Sequence, residues 1–459
     1  MNRKRAFFRN AALLTAGSVV LRFTGLWFRA YITGRIGASG MGLYQLIFSI
    51  FALGITACTS GIGLAVTRLV AEGRGSKSCV LSCLRLALSL SFLAAGILFF
   101  GADFAAERFI GTSAAAVPLK LLAPGLPFLA ACACLKGYFF ANRNTLVPVL
   151  GEFWEQAVTI GGSILLLSYS RLPPLDALML ASTLGEIASL VYIVPAFLIY
   201  VRRRGLPCRN GEGTMHSVVH IAAPMLAGSF LRSALFSAEN VLIPIGLKKY
   251  GAGGADALAQ YGVMQGMVMP ILFFPMSFIS SVAMLLIPEI AEDSACGKRE
   301  NVERNAERAF RFTLMFGFLT SAVFLVFAEE LGSAFFGDAQ ASNILRIMAP
   351  IAPLMYLDNV VDNMLKGLDQ QMYSLKYNFS DSCIRVFLIW LLLPMFGIRA
   401  YIAVLFFSEI YNASLSINRL LKTARLNVDI IGWILFPAVS GCLLYYLLAA
   451  LKKALGFFI

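Results

Sequence analysis

Charge is scarce in this chain. Only 14% of its 459 residues are Asp, Glu, Lys or Arg, against about a quarter in a soluble domain, and no long polar segment interrupts the rest. A separate soluble catalytic domain has nowhere to be. The nine cysteines include no CxxC pair and lie mostly in apolar runs, which argues against a disulfide framework or a zinc site. Cys79 and Cys83 are one helical turn apart and read either as a possible metal pair or as ordinary buried thiols. No metal or cofactor is expected. The apolar run after Met1-Asn2-Arg3-Lys4-Arg5 lacks a small-residue cleavage site, so it is read as a retained first helix and not a signal peptide. No predicted outer loop exceeds about 15 residues, an ordinary connection length, which argues against a membrane glycosyl transferase or glycan polymerase. Glu152 and Glu155 are three apart on one helix, yet no nucleophile or metal cluster accompanies them, so acid/base catalysis is set aside. The chain is read as a non-enzyme.

Hydrophobic residues make up 59% of the chain, and its mean hydropathy is +0.77. Apolar segments of spanning length lie near 11–33, 42–66, 81–101, 118–141, 148–169, 175–201, 217–246, 259–288, 308–328, 344–366, 375–396, 399–420 and 430–450. All are best read as helices, so the chain is an all-α polytopic membrane protein. The net charge of +13 does not call for a nucleic-acid partner. Its basic residues cluster in every second loop, at Arg3 to Arg9, Arg68 to Lys77, Arg143, Arg202 to Arg209, Lys298 to Arg308, and Lys422 to Arg425. That alternation predicts a cytoplasmic N-terminus.

The most polar linker, Arg202 to Gly213, has six of the thirteen spans before it and seven after, so two sets of six leave one span over. Ser60 to Glu72 aligns with Ser280 to Glu292, Leu135-Lys136-Gly137 recurs as Leu365-Lys366-Gly367, and Leu21-Arg22 as Leu231-Arg232. The offset grows smoothly along the chain, as loop insertions would produce. The expected organisation is an N-terminal six-helix lobe at 1–205, a C-terminal six-helix lobe at 206–425, and about one additional transmembrane helix at 426–459. A parallel repeat of this kind places a substrate cavity between its lobes.

Arg22 and Arg29 sit inside the first apolar run, where each buried guanidinium costs about 2.5–3.5 kcal/mol on insertion scales. Something must compensate. They share one helix face about 10 Å apart, Arg22 near mid-membrane and Arg29 near the far interface. Across the repeat, Arg22 pairs with Arg232 and Arg29 with Glu239. These four are the candidate substrate-binding residues, and the guanidinium fork suits bidentate capture of phosphate. Arg29 also reads as an interface anchor.

Other charges are weighed separately. Asp358, Asp362 and Lys366 fall on one helix face, with Asp362 and Lys366 spaced as an ion pair. Asp358 belongs either to a structural polar network or to a site for a coupling cation or proton. Asp362 and Glu155 are further candidates for that coupling role. Asp381 and Arg385 are spaced to neutralise each other, and Arg385 occupies the repeat position of Glu155. Glu152 and Glu155 face a cavity or pair with Lys136 or Lys120, and His220 reads as a packing residue.

Several blocks carry a resemblance. Arg22-x2-Gly25-x3-Arg29, Ile36-Gly37-Ala38-Ser39-Gly40-Met41-Gly42-Leu43-Tyr44-Gln45, and Ser60-Gly61-Ile62 through Arg68-Leu69-Val70-Ala71-Glu72 resemble the opening helices of the stage V sporulation protein B family. Lys136-Gly137-Tyr138-Phe139, Glu155-Gln156, Leu365-Lys366-Gly367, Leu393-Pro394 and Phe396-Gly397-Ile398 continue it. That family belongs to the multidrug, oligosaccharidyl-lipid and polysaccharide exporter (MOP) superfamily, together with the lipid II flippases. The resemblance implies a MATE-like fold of two six-helix bundles and alternating access. It also implies movement of an undecaprenyl-linked, pyrophosphate-borne oligosaccharide or peptidoglycan precursor across the bacterial cytoplasmic membrane. The expected partners are this lipid-linked oligosaccharide, membrane lipid and a monovalent cation or proton, and a monomer is expected. Unlike better-studied lipid II flippases, the chain has no basic residue from Leu43 to Val66. The alternative within the superfamily is a drug/cation antiporter using Glu239 or Asp358.

Overall fold

In hydrocarbon no water is available to an unpaired amide, so a spanning segment must bond every N–H and C=O within itself. The computed structural model follows that rule. It describes residues 2–71, 77–142, 144–204, 215–424 and 431–456, and every regular element among them is helical. The polar linker at 205–214 and the expected boundary near 425 lie outside the described residues, as do the side chains of Arg3, Lys4, Arg5, Arg9 and Cys79.

The chain runs through α1 (Asn2–Thr59), α2 (Ile62–Ala71), α3 (Lys77–Phe100), α4 (Ala102–Ala105), α5 (Ala116–Leu122), α6 (Gly125–Ala141), α7 (Leu146–Tyr169), α8 (Pro174–Arg204) and α9 (Met215–Tyr250). It continues through α10 (Gly254–Tyr261), α11 (Met269–Ala295), α12 (Arg299–Phe336), α13 (Ala339–Met348), α14 (Ala352–Gly367), α15 (Gln371–Phe396), α16 (Ile398–Ala424) and α17 (Phe436–Gly456). Each apolar segment read from the sequence falls on these helices. Among the described residues 10 helices are long and apolar enough to cross a membrane, or 11 with the bent pair Ser113–Leu122 and Gly125–Ala141 taken as one. The count is below thirteen partly because the first two segments merge in α1. At about 1.5 Å per residue its 58 residues would extend to about 87 Å, far beyond a hydrocarbon core of about 30 Å. Gly37 breaks it, with φ 70° and ψ 179°, a conformation only glycine adopts freely.

Contacts group the described chain into two units. The first comprises Met1–Leu21 and Leu43–Val241, the second Arg22–Gly42 and Leu242–Ile459. Lipid is as apolar as leucine, so helices associate through close packing and small residues. In the first unit, α2 lies against α6 so tightly that a Cβ on Gly137 would stand 2.6 Å from the Gly63 carbonyl oxygen. Thr67 Oγ1 donates to the Gly137 carbonyl at 3.0 Å. The same face buries Ile62, Val66, Leu69, Cys83, Cys134 and Tyr138. On α8, a Cβ at Gly185 would collide with Thr159 Oγ1 of α7.

In the second unit a core joins Ile279 and Ile290 of α11, Phe310 and Leu314 of α12, Leu357 and Val361 of α14, and Trp433. The rings of Phe310 and Trp433 lie 5.0 Å apart. The last helix, α17, docks along α12. Gly441 faces Phe318, and Lys452 Nζ pairs with Glu330 at 2.6 Å while donating to the Val326 carbonyl at 3.1 Å. That contact flanks Phe327, where α12 kinks with φ −103° and ψ 19°.

Arg22–Gly42 joins this unit through a backbone crossing. A Cβ on Gly42 would fall against the Leu258 carbonyl oxygen, and one on Gly262 against that of Ala38. Gly42→Ala is therefore expected to lower the melting temperature of the purified protein. Overpacking there costs about 1–3 kcal/mol, more than the propensity gain of about 1 kcal/mol. Gly34 has nothing within 4 Å of an added Cβ, so Gly34→Ala should be neutral or slightly stabilising. Equal melting of the two variants in a thermal-shift measurement would refute the close crossing.

Candidate functional site

The four candidate substrate residues occupy two helices. Arg22 and Arg29 lie on α1 in the stretch assigned to the second unit, and Arg232 and Glu239 on α9 in the first. Arg22 is exposed beside exposed Val20, Phe23 and Trp27. Arg29 is half-buried and engaged with neighbouring groups. Arg232 is exposed among Leu231 and Phe236. Glu239, at 4% exposure, is buried and held by partners. Among the described residues no ion pair or hydrogen bond engages the side chain of Arg22 or Arg232, so their guanidinium donors remain available. His220, read as a packing residue, is instead exposed on α9.

The second unit contains a polar cavity of about 240 Å³. Asp358, Asn359 and Asp362 reach it from α14, Asn378 and Arg385 from α15, and Glu409 from α16, against walls that include Met269, Met276 and Met355. Four-residue spacing explains how α14 delivers both aspartates to one side. The predicted ion pair between Asp362 and Lys366 does not form. Ser374 Oγ donates to Asp362 Oδ1 at 2.7 Å and Asn378 Nδ2 to Oδ2 at 3.0 Å, so both carboxylate oxygens are taken by the next helix. Lys366 is exposed and donates to Asn363 Oδ1 at 3.2 Å. Deeper in, Asn412 Nδ2 donates to Asp358 Oδ2 at 2.8 Å, and Ser408 Oγ donates to Asp381 Oδ1 at 2.6 Å.

Two acceptors there are left over. Asp358 Oδ1 and Asn412 Oδ1 are buried with no hydrogen-bond partner. Buried polar atoms are otherwise almost always satisfied, and a proton or a small cation would satisfy these two. Asn412, Asn378 and Ser374 were absent from the sequence-based candidates. Their trace is periodic: Ser408, Asn412 and Ser416 step by four along α16, and Ser374, Asn378, Asp381 and Arg385 by three or four along α15, one face of each apolar helix.

Glu155 is not part of that cavity. It lies in the first unit, where α6 presents Lys136 to α7, with Nζ 3.5 Å from Glu155 Oε2 and 3.9 Å from Glu152 Oε1. The pairing left open by the sequence thus goes to Lys136, while Lys120 bonds Asp103 at 2.7 Å.

Comparison with known proteins places this architecture. A profile described as "Polysaccharide biosynthesis protein" matches residues 7–292, and one described as MatE matches 229–391. The chain belongs to the polysaccharide biosynthesis protein family. Among similar proteins, stage V sporulation protein B of Bacillus subtilis (strain 168) is 28% identical over 381 residues, 80% of this chain and 74% of that protein. Lipid II flippase MurJ of the same organism is 19% identical over 419 residues, 80% of this chain and 73% of that protein. The fold matches an inward-facing multidrug resistance MATE family transporter of the MOP superfamily with a TM-score of 0.67 at 15% identity, covering 89% of this chain and 100% of that one. This family member is thus an all-helical, multi-pass membrane protein of the MOP fold, a transporter or flippase and not an enzyme.

The hydrogen bonds to Asp362 predict a contrast between two variants. Lys366→Ala should shift stability by less than about 0.5 kcal/mol, as for an exposed residue that makes no ion pair among the described residues. Asn378→Ala, which strips a donor from a partly buried carboxylate, should cost about 1–3 kcal/mol. Thermal unfolding in detergent ranks the two, and an equal or larger loss in Lys366→Ala would restore the ion pair.

Proposed function

We propose that this chain is a flippase that moves an undecaprenyl-linked, pyrophosphate-borne oligosaccharide or peptidoglycan precursor across the bacterial cytoplasmic membrane by alternating access. The N-terminus is cytoplasmic and the protein works as a monomer. The reading is carried by one observation: two arginines in apolar helices, Arg22 and Arg232, expose guanidinium groups that no carboxylate neutralises among the described residues. Such donors are retained at mid-membrane depth where an anion visits them, and the bidentate fork matches a pyrophosphate oxygen pair. The likeness to proteins named for lipid II flipping and for sporulation supports the same substrate class.

Arg22→Ala and Arg232→Ala should each abolish flipping of labelled precursor, by at least about tenfold for one lost charge-assisted contact of 1.5–3 kcal/mol, while protein in the membrane persists. Rescue of cells depleted of their lipid II flippase reads this directly. Flipping at the wild-type rate in either variant would sink the proposal.

The cavity of the second unit is assigned to ion coupling and not to a drug. At about 240 Å³ it falls below the roughly 300–1,000 Å³ of sites for drug-sized ligands, and Asp358, which lines it, has an oxygen without a hydrogen-bond partner. Asp358 takes the monovalent cation or proton, with Asp362 shaping the site. Asp358→Asn should therefore uncouple transport, leaving a low rate that no longer responds to collapse of the sodium or proton gradient. A gradient response equal to wild type would return Asp358 to a purely structural network. Drug efflux dependent on Glu239 or Asp358, yet indifferent to the arginines, would favour the antiporter reading.

A further inference from the structure

The two units treat their acidic clusters differently. In the second, oxygens of Asp358 and Asn412 stand without donors beside an open cavity. The first unit has an acidic cluster of its own, on α7 and α8, and there the acids already have a cationic partner. Lys136 enters from α6 with its ammonium 3.5 Å from Glu155 and 3.9 Å from Glu152, and Glu186 of α8 lies within electrostatic reach of both Lys136 and Glu155. Gly185 makes this possible, because its bare Cα lets α8 approach the Glu155 carbonyl closely, a Cβ there standing 3.0 Å away. One ammonium is thus shared by two carboxylates of α7, with a third, on α8, nearby.

The repeat sharpens the contrast. Leu135-Lys136-Gly137 and Leu365-Lys366-Gly367 hold the same register, yet Lys366 turns away to Asn363 and is exposed. Arg385, at the register of Glu155, reaches the cavity of the second unit but leaves the Asp358 and Asn412 oxygens unpartnered. Among the described residues, Lys136 is directed at its unit's acidic cluster and Lys366 is not.

We infer that Lys136 is a tethered cation that occupies, in the first unit, a site for a small monovalent cation built from Glu152, Glu155 and Glu186. The first unit therefore needs no mobile ion, and a chain that loses the ammonium acquires a second cation site. This deepens the coupling reading given to Asp358 and rests on it only for the claim that the other unit holds the mobile ion.

The probe is sodium alone, counted as bound ²²Na⁺ per chain on purified protein by scintillation proximity. Compared with Asp358→Asn, the double variant Lys136→Met with Asp358→Asn should gain about one equivalent of sodium. Adding Glu155→Gln should remove the gain, and Lys136→Arg, which keeps the charge, should show none. Equal counts in Asp358→Asn and the double variant overturn the inference while leaving the coupling reading intact. A gain in the double variant, with wild type and Asp358→Asn binding equally, supports the inference and removes Asp358 from coupling. If Lys136→Met accumulates poorly, recovery after extraction in sodium chloride and in choline chloride replaces the count. Recovery restored by sodium supports the tethered cation, and equal recovery overturns it.

Discussion

Every element of this protein answers to one constraint: a hydrogen-bonding group placed in hydrocarbon must find its partner inside the protein. The backbone meets that demand by winding into helices from α1 to α17. Once it has done so, helix association falls to shape, since the lipid rewards apolar contact no less than a neighbouring helix does. Glycines then decide where backbones meet, as at Gly63 with Gly137 and at Gly42 with Gly262. The side chains obey the same demand, and they do so by reaching across helices. Ser374 and Asn378 serve Asp362, Asn412 serves Asp358, and Ser408 serves Asp381.

Against that background the groups that break the rule become informative. Arg22 and Arg232 keep exposed guanidiniums in apolar helices, and Asp358 and Asn412 keep buried oxygens without donors. In the function proposed above, the first pair receives a visiting anion and the second a visiting cation. Lys136 completes the set as a cation already in residence among Glu152 and Glu155. On that inference the two units differ in how their acidic groups find a cation.

Much of this was readable from residues alone. Span positions follow from hydropathy, because the transfer cost of a polar run leaves no alternative to crossing at the apolar ones. Family membership followed from the blocks around Arg22, Gly37 and Ser60. Pairing was less legible. Asp362 and Lys366 are correctly spaced for an ion pair on α14, but spacing names only the partners one helix can offer, and Ser374 and Asn378 on α15 were better placed. Asn412 and Ser408 on α16 escaped notice for the same reason. Gly42 and Gly262 looked like any glycine in an apolar run, since a backbone crossing leaves its mark on two distant segments at once and on neither alone.

The break at Gly37 and the membership of Arg22–Gly42 in the second unit bear on how the chain is made. Residues 22–42 leave the ribosome long before Leu258 and Gly262, the groups they finally pack against. During synthesis this stretch must wait in the membrane with its seam uncovered, its glycines facing lipid or a chaperone, until more than half the polypeptide has been inserted. Cutting the chain at the 205–214 linker and producing the halves apart would leave the later half short of one of its own helices. Biogenesis of this protein is therefore bound to a single uninterrupted polypeptide, or to two fragments inserted side by side, in a way that its repeat would not suggest.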